Sequence, residues 1–184
     1  LDASFDPGTG ANQTIRCIAL QSDGKIMIGG DFIYYGGQAC GRLARVHSDG
    51  TTDTGFNPGS GANFRVDACL VQPDGKVLLG GEFTGYDGTI CDRMTRLNAD
   101  GSIDSGFSLG FSSGLYLYGI TLQPDGKIIL YGLSDSFKGF IDRFNADGSE
   151  EPGFDDGFGA QGTNSRIEAV ALQADGKLII GGYF

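Results

Sequence analysis

Gln21-Ser-Asp-Gly-Lys25 is written again as Gln72-Pro-Asp-Gly-Lys76, Gln123-Pro-Asp-Gly-Lys127 and Gln173-Ala-Asp-Gly-Lys177, at steps of 51, 51 and 50 residues. A second marker keeps the same step: His47-Ser-Asp-Gly50, Asn98-Ala-Asp-Gly101 and Asn145-Ala-Asp-Gly148. A third is Phe5, Phe56, Phe107 and Phe154, each opening a glycine-rich loop. Three markers in phase define a repeat, which outranks any local motif in deciding architecture. The units are 1–51, 52–102, 103–149 and an incomplete 150–184, read as one repeat domain over 1–184.

Each unit parses into strands. Segments 15–21, 66–72, 117–123 and 167–173 carry small residues on one face (Cys17, Ala68, Gly119, Ala169) and mostly larger ones on the other (Ile18, Cys69, Ile120, Val170). A strand apolar on both faces suits burial between stacked sheets. Asp-Gly then predicts a two-residue hairpin turn with both residues at positive φ. Return strands follow at 25–30, 76–81, 127–132 and 177–182, third strands at 42–47, 93–98 and 140–145, and a second Asp-Gly turn leads to a short fourth segment. Four antiparallel strands per ~51 residues is the arithmetic of a propeller blade. The expected fold is all-β: a β-propeller-like array of four-stranded antiparallel blades, about 3.6 repeats long, with no substantial helix. A parallel β-helix fits less well, because its coils are shorter and lack hairpin turns. Closed propellers have about four to eight blades and open sheet edges invite aggregation. The array is therefore expected to be part of a larger propeller or to be completed by other copies. The start at Leu1 rather than Met fits a piece of something longer.

Composition bounds the function. Glycine at 33 of 184 positions excludes long helices, where each would cost about 1 kcal/mol relative to alanine. Hydrophobic residues at 40% exclude a wholly disordered chain. With 13 Lys+Arg against 23 Asp+Glu the net charge is −10, and there is no basic run. Such a surface is expected to repel nucleic acid and anionic membranes. No apolar stretch approaches the ~18 residues needed to span a bilayer, so membrane insertion is not expected.

The motif set resembles a family of bacterial and phage proteins built from delta-sixty repeats, generally considered β-propellers. The resemblance covers essentially the whole chain and rests on Gln72-Pro-Asp-Gly-Lys76, Gly80-Gly81-Glu82-Phe83, Arg96-Leu97-Asn98-Ala-Asp-Gly101 and Ser102-Ile-Asp-Ser-Gly-Phe107. The third unit departs from it: Tyr131-Gly-Leu-Ser134 replaces the Gly-Gly-acid-Phe element, and its outer loop is four residues shorter. The resemblance implies a secreted, surface-exposed or phage-tail protein and supplies no family-wide catalytic residues.

Several motifs invite chemical readings. Gly80-Gly81-Glu82-Phe83 spells the signature of diguanylate cyclases, but it recurs in step as Gly29-Gly30-Asp31-Phe32 and Gly181-Gly182-Tyr183-Phe184. Glycine for crowded backbone and phenylalanine for packing is the simpler account. Gly8-Thr-Gly10 and Gly59-Ser-Gly61 look like phosphate loops, yet they lead into strands, not the helix that a dinucleotide fingerprint needs. The elements beginning at His47, Asn98 and Asn145 space oxygens around a glycine turn as calcium loops do. Their twelfth positions are Pro58, Leu109 and Asp156, so the bidentate Glu is missing, and Asp-Gly oxygens also stabilise turns without metal. No metal and no cofactor are expected.

Arg45, Arg96 and Arg143 occupy one point of the third strand in each complete unit, which argues for structural pairs with Asp53, Asp104 and Glu151. His47, the one histidine, fills a turn slot held elsewhere by Asn98 and Asn145. Asp155-Asp156 and Glu150-Glu151 read as solvated loop carboxylates rather than a glycosidase pair. No Ser-His-Asp set, HExxH or CxxC is present, so no catalytic residue is assigned and the chain is not expected to be an enzyme. Cys17, Cys40, Cys69 and Cys91 are expected as free, mostly buried thiols.

Recognition should lie where units differ, because loops carry binding on repeat scaffolds. The outer loops Ile33-Tyr34-Tyr35-Gly36-Gly37-Gln38, Thr84-Gly85-Tyr86-Asp87 and Ser134-Asp-Ser-Phe137 are candidates, as is Leu115-Tyr116-Leu117-Tyr118. Tyr34, Tyr35, Tyr86, Tyr116 and Tyr118 are the candidate binding residues, since exposed tyrosine suits sugar stacking or protein contact; packing between blades is the competing role. The expected function is a non-enzymatic binding or structural module of a virion or cell surface, such as a phage tail fibre or receptor-binding part. Its expected partners are a protein, a surface glycan, further copies or other blades. A carbohydrate-binding lectin-like propeller is the alternative, and a propeller hydrolase or lyase with catalytic residues elsewhere comes third.

Overall fold

The computed structural model describes residues 4–109, 115–134, 138–151, 153–154 and 166–183. Among them are fifteen strands and no helix. The chain divides into two compact units, Leu1–Asp104 and Ser105–Phe184. In the first unit, repeat one gives β1 (Ile15–Leu20), β2 (Ile26–Gly30), β3 (Tyr34–Tyr35), β4 (Gln38–Ala39) and β5 (Leu43–Val46). Repeat two gives β6 (Val66–Val71), β7 (Val77–Gly81), β8 (Gly85–Tyr86), β9 (Thr89–Ile90) and β10 (Met94–Leu97). In the second unit, repeat three gives β11 (Leu115–Leu122), β12 (Ile128–Ser134) and β13 (Gly139–Phe144), and repeat four gives β14 (Arg166–Leu172) and β15 (Leu178–Tyr183).

The long strands pair antiparallel in one order throughout: β1-β2-β5, β6-β7-β10, β11-β12-β13 and the pair β14-β15. The fourth segment contributes a single bridge in each complete repeat, Val46↔Thr52, Leu97↔Ile103 and Phe144↔Glu150. Three strands with a bridged fourth segment is thus what these sheets contain. The physical reason is local: the chain turns at Thr54-Gly55, where the Phe56 amide donates to Asp53 O at 3.2 Å, before the segment can lengthen.

The hairpin turns differ from the two-residue form expected. Gly24, Gly75, Gly126 and Gly176 have positive φ, whereas the preceding aspartates do not. Gly75 N–H donates to Gln72 O (2.9 Å) and Gln72 N–H to Lys76 O (2.8 Å). This is a three-residue loop, a type I turn closed by a left-handed glycine. Pro73 sits where a type I turn favours the fixed φ of proline, and Asp74 Oδ1 accepts the Lys76 amide at 3.1 Å.

Each first strand also carries a bulge the sequence reading did not anticipate. Register slips between Ile15 and Cys17, Val66 and Ala68, Leu117 and Gly119, and Ile167 and Ala169, leaving Arg16, Asp67, Tyr118 and Glu168 as the extra residues. Opposite the bulge stand Gly30, Gly81, Gly132 and Gly182. A Cβ on Gly81 would overlap the Arg65 carbonyl oxygen and lie 3.0 Å from Val66 Cα. Glycine is there because two backbones touch.

Sheets of one unit stack face to face, and the same contact occurs in both units. In the first, Met27 and Leu43 of repeat one, with Phe56 from the fourth segment that follows them, pack against Val66, Cys69, Val77 and Leu79 of repeat two. In the second, the equivalent Ile129, Ile141 and Phe154 pack against Ile167, Val170, Leu178 and Ile180. Burial of first strands on both faces does not hold for β1, where Ile18 is 68% and Leu20 73% exposed, nor for β14, where Ala169 and Ala171 are exposed. In β6 the face equivalent to Ile18 and Leu20, held by Cys69 and Val71, is covered by the first sheet; among the described residues of its own unit, no sheet covers that face of β1. No helix among those residues is long and apolar enough to cross a membrane.

Candidate functional site

The charged residues most able to do chemistry are gathered into one cluster per complete repeat. Lys25 Nζ lies 3.1 Å and Arg45 Nε 2.6 Å from Asp53 Oδ2. Lys76 Nζ and Arg96 Nε each lie 2.8 Å from Asp104 Oδ2. Lys127 Nζ lies 2.7 Å from Glu151 Oε1, and Arg143 pairs with Glu151 Oε2. The arginine–carboxylate pairs were expected; the lysines, each the last residue of the Gln-x-Asp-Gly-Lys marker, were not. Each cluster ties the return strand and third strand of one repeat to the fourth segment that follows its second Asp-Gly turn. Arg45 also stacks over the Phe56 ring (5.1 Å to its centre) and Arg143 over Phe154 (4.5 Å), so the marker phenylalanines complete the cluster. Burial pushes the Asp53 carboxyl up, but the Gly55 amide, Lys25 and Arg45 outweigh it and hold it at about 2. Hydrogen bonds from Lys127 and Arg143 likewise lower Glu151.

The other tempting motifs resolve into architecture. Phe32 and Phe83 are fully buried, while the acids before them pair with arginine at the start of the first strand: Asp31 with Arg16 at 2.9 Å, and Glu82 with Arg65. In the glycine loops, Gly10 and Gly61 amides donate to Pro7 O and Pro58 O (2.9 Å each), so these donors are already used. Asn12 Oδ1 and Asn63 Oδ1 next to them accept two amides each from the outer hairpin. In the calcium-like elements, Asp49, Asp100 and Asp147 accept the amide and hydroxyl of Thr51, Ser102 and Ser149. Among the described residues no group of three or more His, Cys, Asp or Glu could hold a metal ion. His47 Nε2 lies 3.8 Å from Asp53 Oδ1 at the edge of its cluster. All four cysteines are free; burial pushes the Cys40 and Cys91 thiols up to about 11, and a hydrogen bond with Cys69 joins burial in raising Cys17. Of the four, Cys40 is buried and Cys17, Cys69 and Cys91 are half-buried rather than mostly buried as expected; thiols held protonated in this way are poor nucleophiles.

The five candidate tyrosines part company. Tyr35 and Tyr86 are buried, and their hydroxyls donate to Gly50 O (3.0 Å) and Gly101 O (3.3 Å), pinning the outer hairpins β3-β4 and β8-β9 to the second turn of the same repeat. The expected exposure fails for these two. Tyr34 is exposed, whereas Tyr116 and Tyr118 are half-buried, with Arg166 4.9 Å over the Tyr118 ring. Residues 135–137 of the third outer loop and Asp155-Asp156 lie outside the described residues.

Two further features stand outside these clusters. The bulge places four unlike side chains, Arg16, Asp67, Tyr118 and Glu168, on one repeated backbone position. In the first unit Arg16 Nη1 lies 3.6 Å from Asp67 Oδ1. Also in that unit, a cleft of about 570 Å³ opens between the first turns of repeats one and two, lined by Gln21, Asp23, Arg45, Gln72 and Pro73 among others. That volume lies within the range of small-molecule sites. Gln21 Oε1 and Gln72 Oε1 in its wall are closed off from solvent and unpartnered.

Stacked sheets of one register with one ion cluster per complete repeat define an all-β repeat protein. Residues 21–56, 72–107 and 123–154, each running from the glutamine of a first turn to a marker phenylalanine, match the family described as domain of unknown function (DUF5122) beta-propeller. These stretches cover more than half of the chain, and the chain belongs to that β-propeller family. None of the curated proteins compared with the chain matches it.

Proposed function

We propose that the chain is a non-enzymatic binding or structural module of a virion or cell-surface protein, of the delta-sixty type found in bacteria and phages. Its repeats serve as four-stranded blades of a larger propeller. The observation that supports this reading is the division of labour between positions. Residues that recur in step, such as Lys25, Arg45 and Asp53, are consumed by the scaffold. The bulge holds its backbone constant and changes its chemistry from Arg16 to Asp67, Tyr118 and Glu168, as a scaffold presenting variable contacts does. A module of this kind takes a protein or glycan partner without turning it over.

The test separates scaffold from contact. Arg16→Ala and Asp67→Ala are expected to cost less than about 1 kcal/mol each, because their pairs are partly solvated, while weakening capture of bacterial-surface proteins or glycans by tenfold or more. Variants that unfold the chain, or capture indifferent to both changes, would remove the bulge from the binding role. A lectin-like second reading is favoured by exposed Tyr34, which has Gly85 at the equivalent place of the next repeat. Saturable glycan binding lost in Tyr34→Ala but kept in Asp67→Ala would select it.

A further inference from the structure

Cys17 and Cys69 are 52 residues apart and do not occupy equivalent repeat positions. Cys17 belongs to the small-residue face, with Ala68, Gly119 and Ala169; Cys69 belongs to the other face, with Ile18, Ile120 and Val170. Where repeat one stacks on repeat two, the small face of β1 is turned toward the larger face of β6, so the two cysteines oppose each other. Both pack against the same core cluster, and their thiols hydrogen-bond to one another across the contact. Gly29, paired with Cys17 on β2, leaves the room. A Cβ there would lie 2.7 Å from Cys17 Sγ and 2.8 Å from Val66 Cγ1, so the Cys17 sulfur reaches the start of β6. In the second unit the same opposed positions hold Gly119 and Val170, which have no sulfur to join. Cys40 and Cys91 lie in separate surroundings, Cys40 in the cluster of Phe32 and Tyr35 and Cys91 against that of Phe83 and Tyr86.

We propose that Cys17 and Cys69 form a redox-sensitive disulfide that staples repeat one to repeat two. The oxidant is a small-molecule disulfide. One cysteine thiolate attacks it, forming a mixed disulfide and expelling the first small thiol. The other cysteine then attacks the protein sulfur, forming the S–S bond and expelling the second. The two protein thiols are oxidised, the small disulfide is reduced to two thiols, and the cysteine protons end on those thiols. The hydrogen bond with Cys69 and burial keep Cys17 protonated in the folded chain. Exchange therefore runs during folding or through local openings of the β1–β6 contact. The bond closes a long loop and so restricts the unfolded chain. It also fixes the spacing of the bulge residues, since Arg16 precedes Cys17 and Asp67 lies two residues before Cys69. It forms whether or not the bulge carries a ligand.

The whole chain is refolded in an excess of either reduced or oxidised glutathione, quenched in acid and mapped with trypsin. Cleavage after Lys and Arg places the four cysteines on separate peptides, 17–25, 26–42, 66–76 and 77–93. From the oxidised sample the expected linked product is 17–25 with 66–76, absent from the reduced one. The oxidised chain is expected to melt roughly 5–15 °C above the reduced chain. Cys17→Ala and Cys69→Val copy Ala68 and Val170 of other repeats and so suit the fold. Each is expected to abolish both the linked product and the thermal gain. No link after refolding in oxidised glutathione, a link through Cys40 or Cys91, or glutathione adducts at Cys17 and Cys69 in place of the bond would overturn the proposal. So would a linked chain that melts no higher, or a gain that survives either substitution.

Discussion

Replacing Gly81 by alanine is expected to cost about 3 kcal/mol, and so to lower Tm by about 6–12 °C in a chain of this size. The added methyl would meet the Arg65 carbonyl oxygen and Val66 Cα, both backbone, with no side chain free to swing aside. Relief would require the bulge at Asp67 to open and with it the pairing of β6 and β7. The same carbonyl contact recurs at Gly30, Gly132 and Gly182, so Gly30→Ala should behave alike. Gly88→Ala is the control. Its φ is +76° but a Cβ there meets nothing within 4 Å, so it carries only the left-handed cost of about 1–2 kcal/mol. Thermal unfolding of the three variants checks this, and equal losses at Gly81 and Gly88 would mean that the bulge is not the reason for the glycine.

Asp53→Ala is expected to cost about 3–5 kcal/mol, the loss usual when one partner of a buried ion pair is removed. Asp53 and Arg45 are both nearly buried, and truncation leaves Arg45 with the Ala99 carbonyl and the Phe56 ring as its remaining contacts. The pH dependence gives an independent sign. The folded carboxyl is held at about 2, below its unfolded value, so the unfolded chain takes up the proton first as pH falls. The stabilisation is therefore full above pH ~4 and lost as pH falls from there through about 2. Glu151, lowered in the same direction, adds to the acid loss. Denaturation midpoints measured from pH 6 to 2 should fall steeply in the native chain and less steeply in Asp53→Ala. Parallel curves would show that the cluster does not hold its carboxylate.

Much of this was legible because periodicity is a long-range signal. The strands follow from alternation flanked by Asp-Gly, and the Arg45–Asp53, Arg96–Asp104 and Arg143–Glu151 pairs follow from residues that keep step. Applied to tyrosine, the same rule separates the candidates. Tyr35 and Tyr86 are 51 residues apart and turn out to be scaffold, whereas Tyr34, Tyr116 and Tyr118 have Gly85, Arg65 and Asp67 at the equivalent places. Lys25, Lys76 and Lys127 were in plain view inside the marker, but a lysine after a turn carries no sign of which carboxylate it will reach across a strand. The turn type differs from the expected one because Asp-Gly serves both two- and three-residue loops; Pro73 and Pro124 at the second position are the signal for type I. The bulge was hidden since one extra residue leaves the apolar pattern intact on both sides, and only the paired glycines opposite mark it. The exposure of Ile18 and Leu20 lay beyond periodicity altogether: identical positions in successive repeats differ by what stands next to them.

The most direct measurement of the central claim, that this propeller family member binds or builds rather than catalyses, is product analysis on a broad panel of glycans and esters after two independent purifications. Mass spectrometry of each mixture is expected to return unchanged substrate, with any ligand merely retained by the protein. Product that forms in proportion to protein concentration and persists through repurification would contradict the account.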